Sequence, residues 1–211
     1  MKKLVLFLSV AIGISVAHAQ NAKFTGTMKK FISTVDTAKT GEDFQNAANN
    51  FERVANAEKT EWLPNYYAAF SLVMKAYTEK DTKNIDPLLD KADAFLSAAE
   101  TLTKNNSEIT ALKAMSVSAR ISVDFMRGMS LGPKSSQLAK LAQAQDSLNP
   151  RAYMQEAQML YHTPEPFGGS KVKGKEMMKK ALDLFATFKP QNELYPNWGK
   201  EFAQKTYDSW K

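Results

Sequence analysis

Three times in this chain a proline stands close ahead of an aromatic at the opening of a helical pattern. The openings are Trp62-Leu63-Pro64-Asn65-Tyr66-Tyr67, Asn149-Pro150-Arg151-Ala152-Tyr153 and Tyr195-Pro196-Asn197-Trp198. Pro64 and Pro150 lie 86 residues apart, about twice the 46 that separate Pro150 from Pro196. Midway between the first two, Asn106-Ser107-Glu108-Ile109 also reads as a helix start, without proline. Recurrence at a period of roughly 20–50 residues is the signature of a helical repeat array, in which each hairpin buries its apolar face only against its neighbours.

The apolar spacing supports helices throughout. Tyr67, Phe70, Met74 and Tyr77 follow one helix face, as do Leu88, Leu89, Ala92, Phe95, Leu96 and Ala99. Asp86-Pro87 reads as an N-cap followed by proline at the first helical position. A fifth helix is expected from Ser107 to about Arg127, where Gly128 and Gly132-Pro133 end it. A sixth is expected over Pro133 to Leu148, a seventh from Pro150, an eighth over Ser170 to Phe188 and a last from Asn197. No stretch alternates like a strand over more than four residues, and Val, Ile and Thr never cluster between turn signals. The expected fold is all-α, a right-handed α-solenoid of about four antiparallel helical hairpins plus a C-terminal capping helix.

The N-terminus reads as an export signal. Met1-Lys2-Lys3 is a short positive region, Leu4 to Val16 is apolar, and Ala17-His18-Ala19 is a small-residue cleavage site. The apolar run is too short to cross about 30 Å of hydrocarbon comfortably. Cleavage is expected after Ala19, which leaves residues 20–211 as one repeat domain, periplasmic or secreted. The chain has no cysteine, so a lipoprotein signal is excluded and the fold must hold by packing alone. Removing Lys2 and Lys3 lowers the formal net charge from +6 to +4. That is mild, no dense basic motif is present, and nucleic acid is not the expected partner.

Alternating helices, small residues such as Ala68, Ala69 and Ala157 where helices approach, and proline between hairpins resemble tetratricopeptide-repeat (TPR-like) proteins. The run Thr163-Pro164-Glu165-Pro166-Phe167-Gly168-Gly169-Ser170, followed by Lys179-Lys180-Ala181-Leu182, is similar to a loop of exported bacterial members of that class. The spacing here is longer than the standard repeat of about 34 residues, and its W-x₂-L-G-x₂-Y pattern is absent. The resemblance implies a non-catalytic protein or peptide binder whose groove is lined by the first helix of each hairpin.

Motifs for chemistry are sparse. Gly169-Ser170-Lys171-Val172-Lys173-Gly174-Lys175 matches the spacing of a phosphate-cradling loop. Glu176 holds the place of the magnesium-binding Ser/Thr, and no strand precedes the run. A turn into the eighth helix is the better reading, with its lysines as a solvated face. Only His162 remains once His18 leaves with the signal, and neither a cysteine nucleophile nor a zinc cluster can form. Asp86, Asp90 and Asp93 share a helix face and read as solvated acids near a helix N-terminus. No cofactor and no enzymatic activity are expected.

With the apolar stripes subtracted, the odd helices leave polar residues. These are Asn65, Lys75 and Glu79; then Thr110, Lys113, Arg120 and Asp124; then Arg151, Gln155, Gln158 and His162. If these helices line the groove, Lys75, Lys113, Arg120, Arg151, Gln155 and Gln158 are the candidate contacts for an acidic protein or peptide. The expected role is an interaction scaffold in the bacterial cell envelope. The alternative is a periplasmic small-molecule-binding subunit beside a transporter. It would use a pocket among Trp62, Tyr66 and Tyr153, which otherwise read as packing between hairpins.

Overall fold

The computed structural model describes residues 22–211. The expected signal peptide and its cleavage point lie outside the described residues. Nine α-helices follow in order: α1 (22–36), α2 (Gly41–Ala57), α3 (Trp62–Thr78), α4 (Ile85–Leu102), α5 (Ser107–Ala119), α6 (Gly128–Gln145), α7 (Pro150–His162), α8 (Lys171–Thr187) and α9 (Lys200–Ser209). No strand occurs among the described residues, so the chain is all-α.

Side-chain caps set the starts of four helices, α2, α5, α7 and α8. Thr40 accepts the Asp43 N–H while the Asp43 carboxylate accepts the Thr40 N–H, a reciprocal capping box at α2. Asn106 caps α5 by accepting from the Glu108 and Ile109 amides. Asn149 caps α7, with Pro150 at the first position where its missing N–H costs nothing. Ser170 caps α8.

Two boundaries before α7 depart from the sequence expectation. Helix α4 begins at Ile85, after a 3₁₀ turn at Thr82–Asn84 capped by Asp81, so Asp86 lies inside the helix rather than capping it. Helix α5 stops at Ala119, and 3₁₀ turns at Arg120–Val123 and Phe125–Arg127 join it to α6. Between them Asp124 is extended at φ −154° and accepts the Met126 N–H at 2.9 Å. The Arg120 and Arg127 guanidiniums are drawn onto Asp86, at 3.3 and 2.8 Å. A capped kink held by two ion pairs outcompetes helical propagation there, and α6 starts at Gly128 with Pro133 inside it.

Each of α4, α6 and α8 packs on the odd helix before it, and α3, α5 and α7 pack side by side. The difference shows in the burial pattern. Helix α4 buries one stripe, Ile85, Leu89, Ala92, Leu96 and Ala99. Helix α3 buries every residue from Leu63 to Val73, and α7 every residue from Pro150 to Ala157. A helix buried through successive residues is covered on all sides.

The third cover is the segment 188–199 between α8 and α9, which runs back along the N-terminal halves of the odd helices. The Tyr67 hydroxyl donates to the Leu194 carbonyl at 3.0 Å, and the Trp198 indole N–H donates to the Tyr66 hydroxyl at 2.9 Å. Trp198 stacks on Phe70 with centroids 4.6 Å apart, and Trp62 meets Tyr195 edge-on. Leu194 joins the large core of α1–α5, and Trp198 packs against both that core and the smaller one of α7, α8 and α9. The last proline–aromatic opening, Tyr195 to Trp198, is therefore part of a covering loop. Helix α9 starts only after Gly199, whose φ of +107° suits glycine.

Candidate functional site

The polar residues expected on the odd helices are mostly committed inside the fold. Lys75 donates to Gln45 at 2.7 Å, and Lys113 pairs with Glu100. Arg120 reaches Asp86, Asp90 and Asp93, the last two at 2.9 and 2.7 Å. Gln155 is buried and Gln158 half-buried. Arg151 is wholly buried: its Nε donates to Glu108 at 2.8 Å, an Nη donates to the Pro196 carbonyl, and its guanidinium lies within 4.7–5.8 Å of the Phe188, Trp198 and Phe185 rings. Burial pushes the Glu108 carboxyl above its usual range, against the pull of Arg151.

The aromatics of the hairpin openings pack rather than line a cavity. Tyr66 and Tyr153 are buried, Trp62 is half-buried against Tyr66 and Tyr195, and Tyr66 receives the Trp198 hydrogen bond. Burial first, and the Glu108 carboxylate second, raise the Tyr66 phenol well above its ordinary value.

A cleft does open between α8 and α9. It is about 480 Å³ and is lined by Lys171, Val172, Lys175, Glu176, Lys179, Tyr207 and Lys211. Lys171, Lys175 and Lys179 stand four residues apart, which places their side chains on one face of α8. The opposite side of α8 is pressed against α7. A Cβ on Gly174 would lie 2.8 Å from the Tyr161 backbone nitrogen, and one on Gly169 would lie 1.7 Å from the Thr163 carbonyl oxygen. The glycines of the phosphate-loop-like run are thus close-approach positions. Ser170 donates its backbone N–H to the Leu160 carbonyl at 2.8 Å and caps α8 with its hydroxyl.

Lys175 donates to the Trp210 carbonyl at 2.8 Å and lies 5.4 Å from the Tyr207 ring centre. Lys171 lies 5.7 Å from the Tyr161 ring, which stacks flat on Trp210 with centroids 3.9 Å apart. His162 stands edge-on to both rings, at 5.3 and 5.9 Å. Partial burial and the nearby Lys171 ammonium hold its imidazole below the usual value. Four lysines and Glu176 thus line the cleft, with Lys179 paired to Asp183 and Lys175 bound to the Trp210 carbonyl. Ammonium groups beside aromatic rings favour an anionic ligand over a cationic one.

Sequence reasoning read these lysines as a solvated face and did not join them to Tyr207 and Lys211. The signal available was the four-residue lysine spacing; the pairing of α8 with α9 was not visible. A second feature is apolar and exposed: Phe125 and Met126 on the kink between α5 and α6, and Met129 in the first turn of α6, at 73%, 64% and 61% exposure. Among the described residues no group of three or more His, Asp or Glu is placed to hold a metal ion, and no helix is long and apolar enough to cross a membrane.

The chain is similar to a solved structure, the HusA haemophore from Porphyromonas gingivalis. The two share 30% sequence identity and a TM-score of 0.82, over 89% of this chain and 92% of that one. No protein-family model matches the chain, and no curated protein matches it.

Proposed function

This chain belongs to the family of the HusA haemophore, and on that premise we propose that it is a non-catalytic carrier of haem in the cell envelope, with the α8–α9 cleft as the cargo site. One observation carries the choice of site: four lysines line a cleft together with Val172 and Tyr207, beside the Tyr161–Trp210 stack. Haem is a flat apolar ring bearing two carboxylates. The lysines would hold the carboxylates, and the rings would cover part of the apolar face. Export with removal of residues 1–19 belongs to the same proposal, as does the reading of the hairpin row as a right-handed, TPR-like α-solenoid.

This places the sequence alternative, a small-molecule-binding subunit, ahead of the peptide scaffold. A protein contact has its own support in the exposed Phe125, Met126 and Met129. A carrier must hand its cargo on, and an apolar, methionine-rich patch is an adaptable docking surface for the receiving protein.

The test is a haem titration followed by the Soret band and by quenching of tryptophan fluorescence. Stoichiometric binding is expected, weakened by about tenfold or more, 1.4 kcal/mol, in K171E/K179E. Binding unchanged by the double charge reversal would remove the cleft as the site, and no binding at all would remove the carrier reading.

A further inference from the structure

We infer that Met126 and Met129 are a reversible oxidation site that switches off the docking patch at the α5–α6 kink, an inference that rests on the docking role proposed for that patch and is independent of the cargo site. The chain holds ten methionines and no cysteine. Thiolates are the usual first target of peroxide, and without them the accessible thioethers take that place. Burial sorts the methionines. Met28, Met154 and Met178 are buried, and Met74, Met115, Met159 and Met177 are half-buried. Met159 also has its sulfur engaged, accepting the Ser118 hydroxyl at 3.2 Å. Among the described residues only Met126 and Met129 are exposed methionines, at 64% and 61%.

The fold keeps these two sulfurs outside. The Asp124 carboxylate accepts the Met126 N–H at 2.9 Å, the Arg120 and Arg127 pairs with Asp86 hold the kink, and Met129 stands in the first turn of α6. Among the described residues neither side chain joins an apolar cluster of the core. Hydrogen peroxide supplies the oxygen. The sulfur attacks one peroxide oxygen, the O–O bond breaks, and the departing hydroxide takes the proton left on the sulfur-bound oxygen to form water. Each thioether is thereby oxidised to a sulfoxide, and one peroxide is consumed with release of one water. A sulfoxide is polar where the thioether was apolar, so the patch keeps Phe125 and loses its two methionine surfaces, while the core packing is untouched. Sulfoxide reductases reverse the change, which makes it a switch rather than a lesion.

The experiment treats the full chain with dilute hydrogen peroxide and follows it by peptide mass mapping and by retention on a phenyl matrix, the apolar probe. One added oxygen each at Met126 and Met129 is expected before any at Met28, Met154 or Met178, with the thermal unfolding midpoint unchanged. Retention should fall, return after treatment with reductases for both sulfoxide epimers, and when lowered match that of untreated M126S/M129S. M126L/M129L keeps the apolar surface without the sulfur and should hold its retention through the same treatment. Oxidation of the buried methionines in step with the exposed pair, or a fall in retention that M126L/M129L shares, would overturn the switch. Untreated M126S/M129S retained as tightly as the wild type would instead overturn the docking role of the patch.

Discussion

Arg151 Nε donates to Glu108 at 2.8 Å although the two residues are 0% and 1% exposed. The pair ties the first turn of α7 to the first turn of α5, and through the Pro196 carbonyl it also holds the covering loop. Removing one partner leaves the other charge buried alone, whereas replacing both leaves none. Arg151→Ala should cost about 3–5 kcal/mol in urea unfolding, and E108L/R151M far less than the sum of its single changes. A single-variant loss below about 1 kcal/mol would contradict the buried geometry.

Trp198 makes two separable contributions, a stack on Phe70 and a hydrogen bond to Tyr66. Trp198→Phe keeps the stack and leaves the buried Tyr66 hydroxyl short of a donor, which should cost about 1–3 kcal/mol. Trp198→Ala also empties the space between the two cores and should cost roughly 3–5 kcal/mol. Equal losses in the two variants would show that the ring does not bridge the cores.

Glycine should be tolerant of alanine at one site and intolerant at another. Gly26 in α1 has nothing within 4 Å of an added Cβ, so Gly26→Ala should stabilise by about 0.5–1 kcal/mol. At Gly174 the Cβ would meet the Tyr161 backbone at 2.8 Å. Gly174→Ala should cost about 1–3 kcal/mol by pushing α8 off α7, and should weaken binding in the cleft. Thermal unfolding of both variants, with a haem titration of the second, checks this.

The capping box at α2 sets a pH dependence. Thr40→Ala should cost about 1 kcal/mol. The backbone N–H groups of Lys39 and Thr40, together with the Thr40 hydroxyl, hold the Asp43 carboxyl below its usual value. A carboxyl with a lowered folded-state pKa stabilises fully above its unfolded value, about 3.9, and that stability is lost as pH falls through the lowered value. Asp43→Asn should therefore flatten the acid limb of the stability–pH curve; an unchanged limb below pH 4 would sink the assignment.

Much of the helical framework was legible because its determinants are local. Asn106, Asn149-Pro150 and Ser170 each start a helix where the capping chemistry predicts. The kink at Arg120–Arg127 was not legible, since Asp86, the anion that holds both arginines, lies more than thirty residues earlier. The polar residues left on α7 looked like a surface stripe. Arg151 is interior because Glu108, 43 positions away, neutralises it, and because Pro196 closes over it. Helical periodicity cannot distinguish a solvated arginine from one paired across helices.

By itself the sequence determined the all-α class and most helix starts, because caps, prolines and apolar spacing act within a few residues. The tertiary structure alone decided what covers the odd helices. The bond from Tyr67 to Leu194 spans 127 positions, and that from Tyr66 to Trp198 spans 132. Those contacts fill the face where a groove was expected. A cleft lies between α8 and α9, where four lysines from two segments are brought together only by packing.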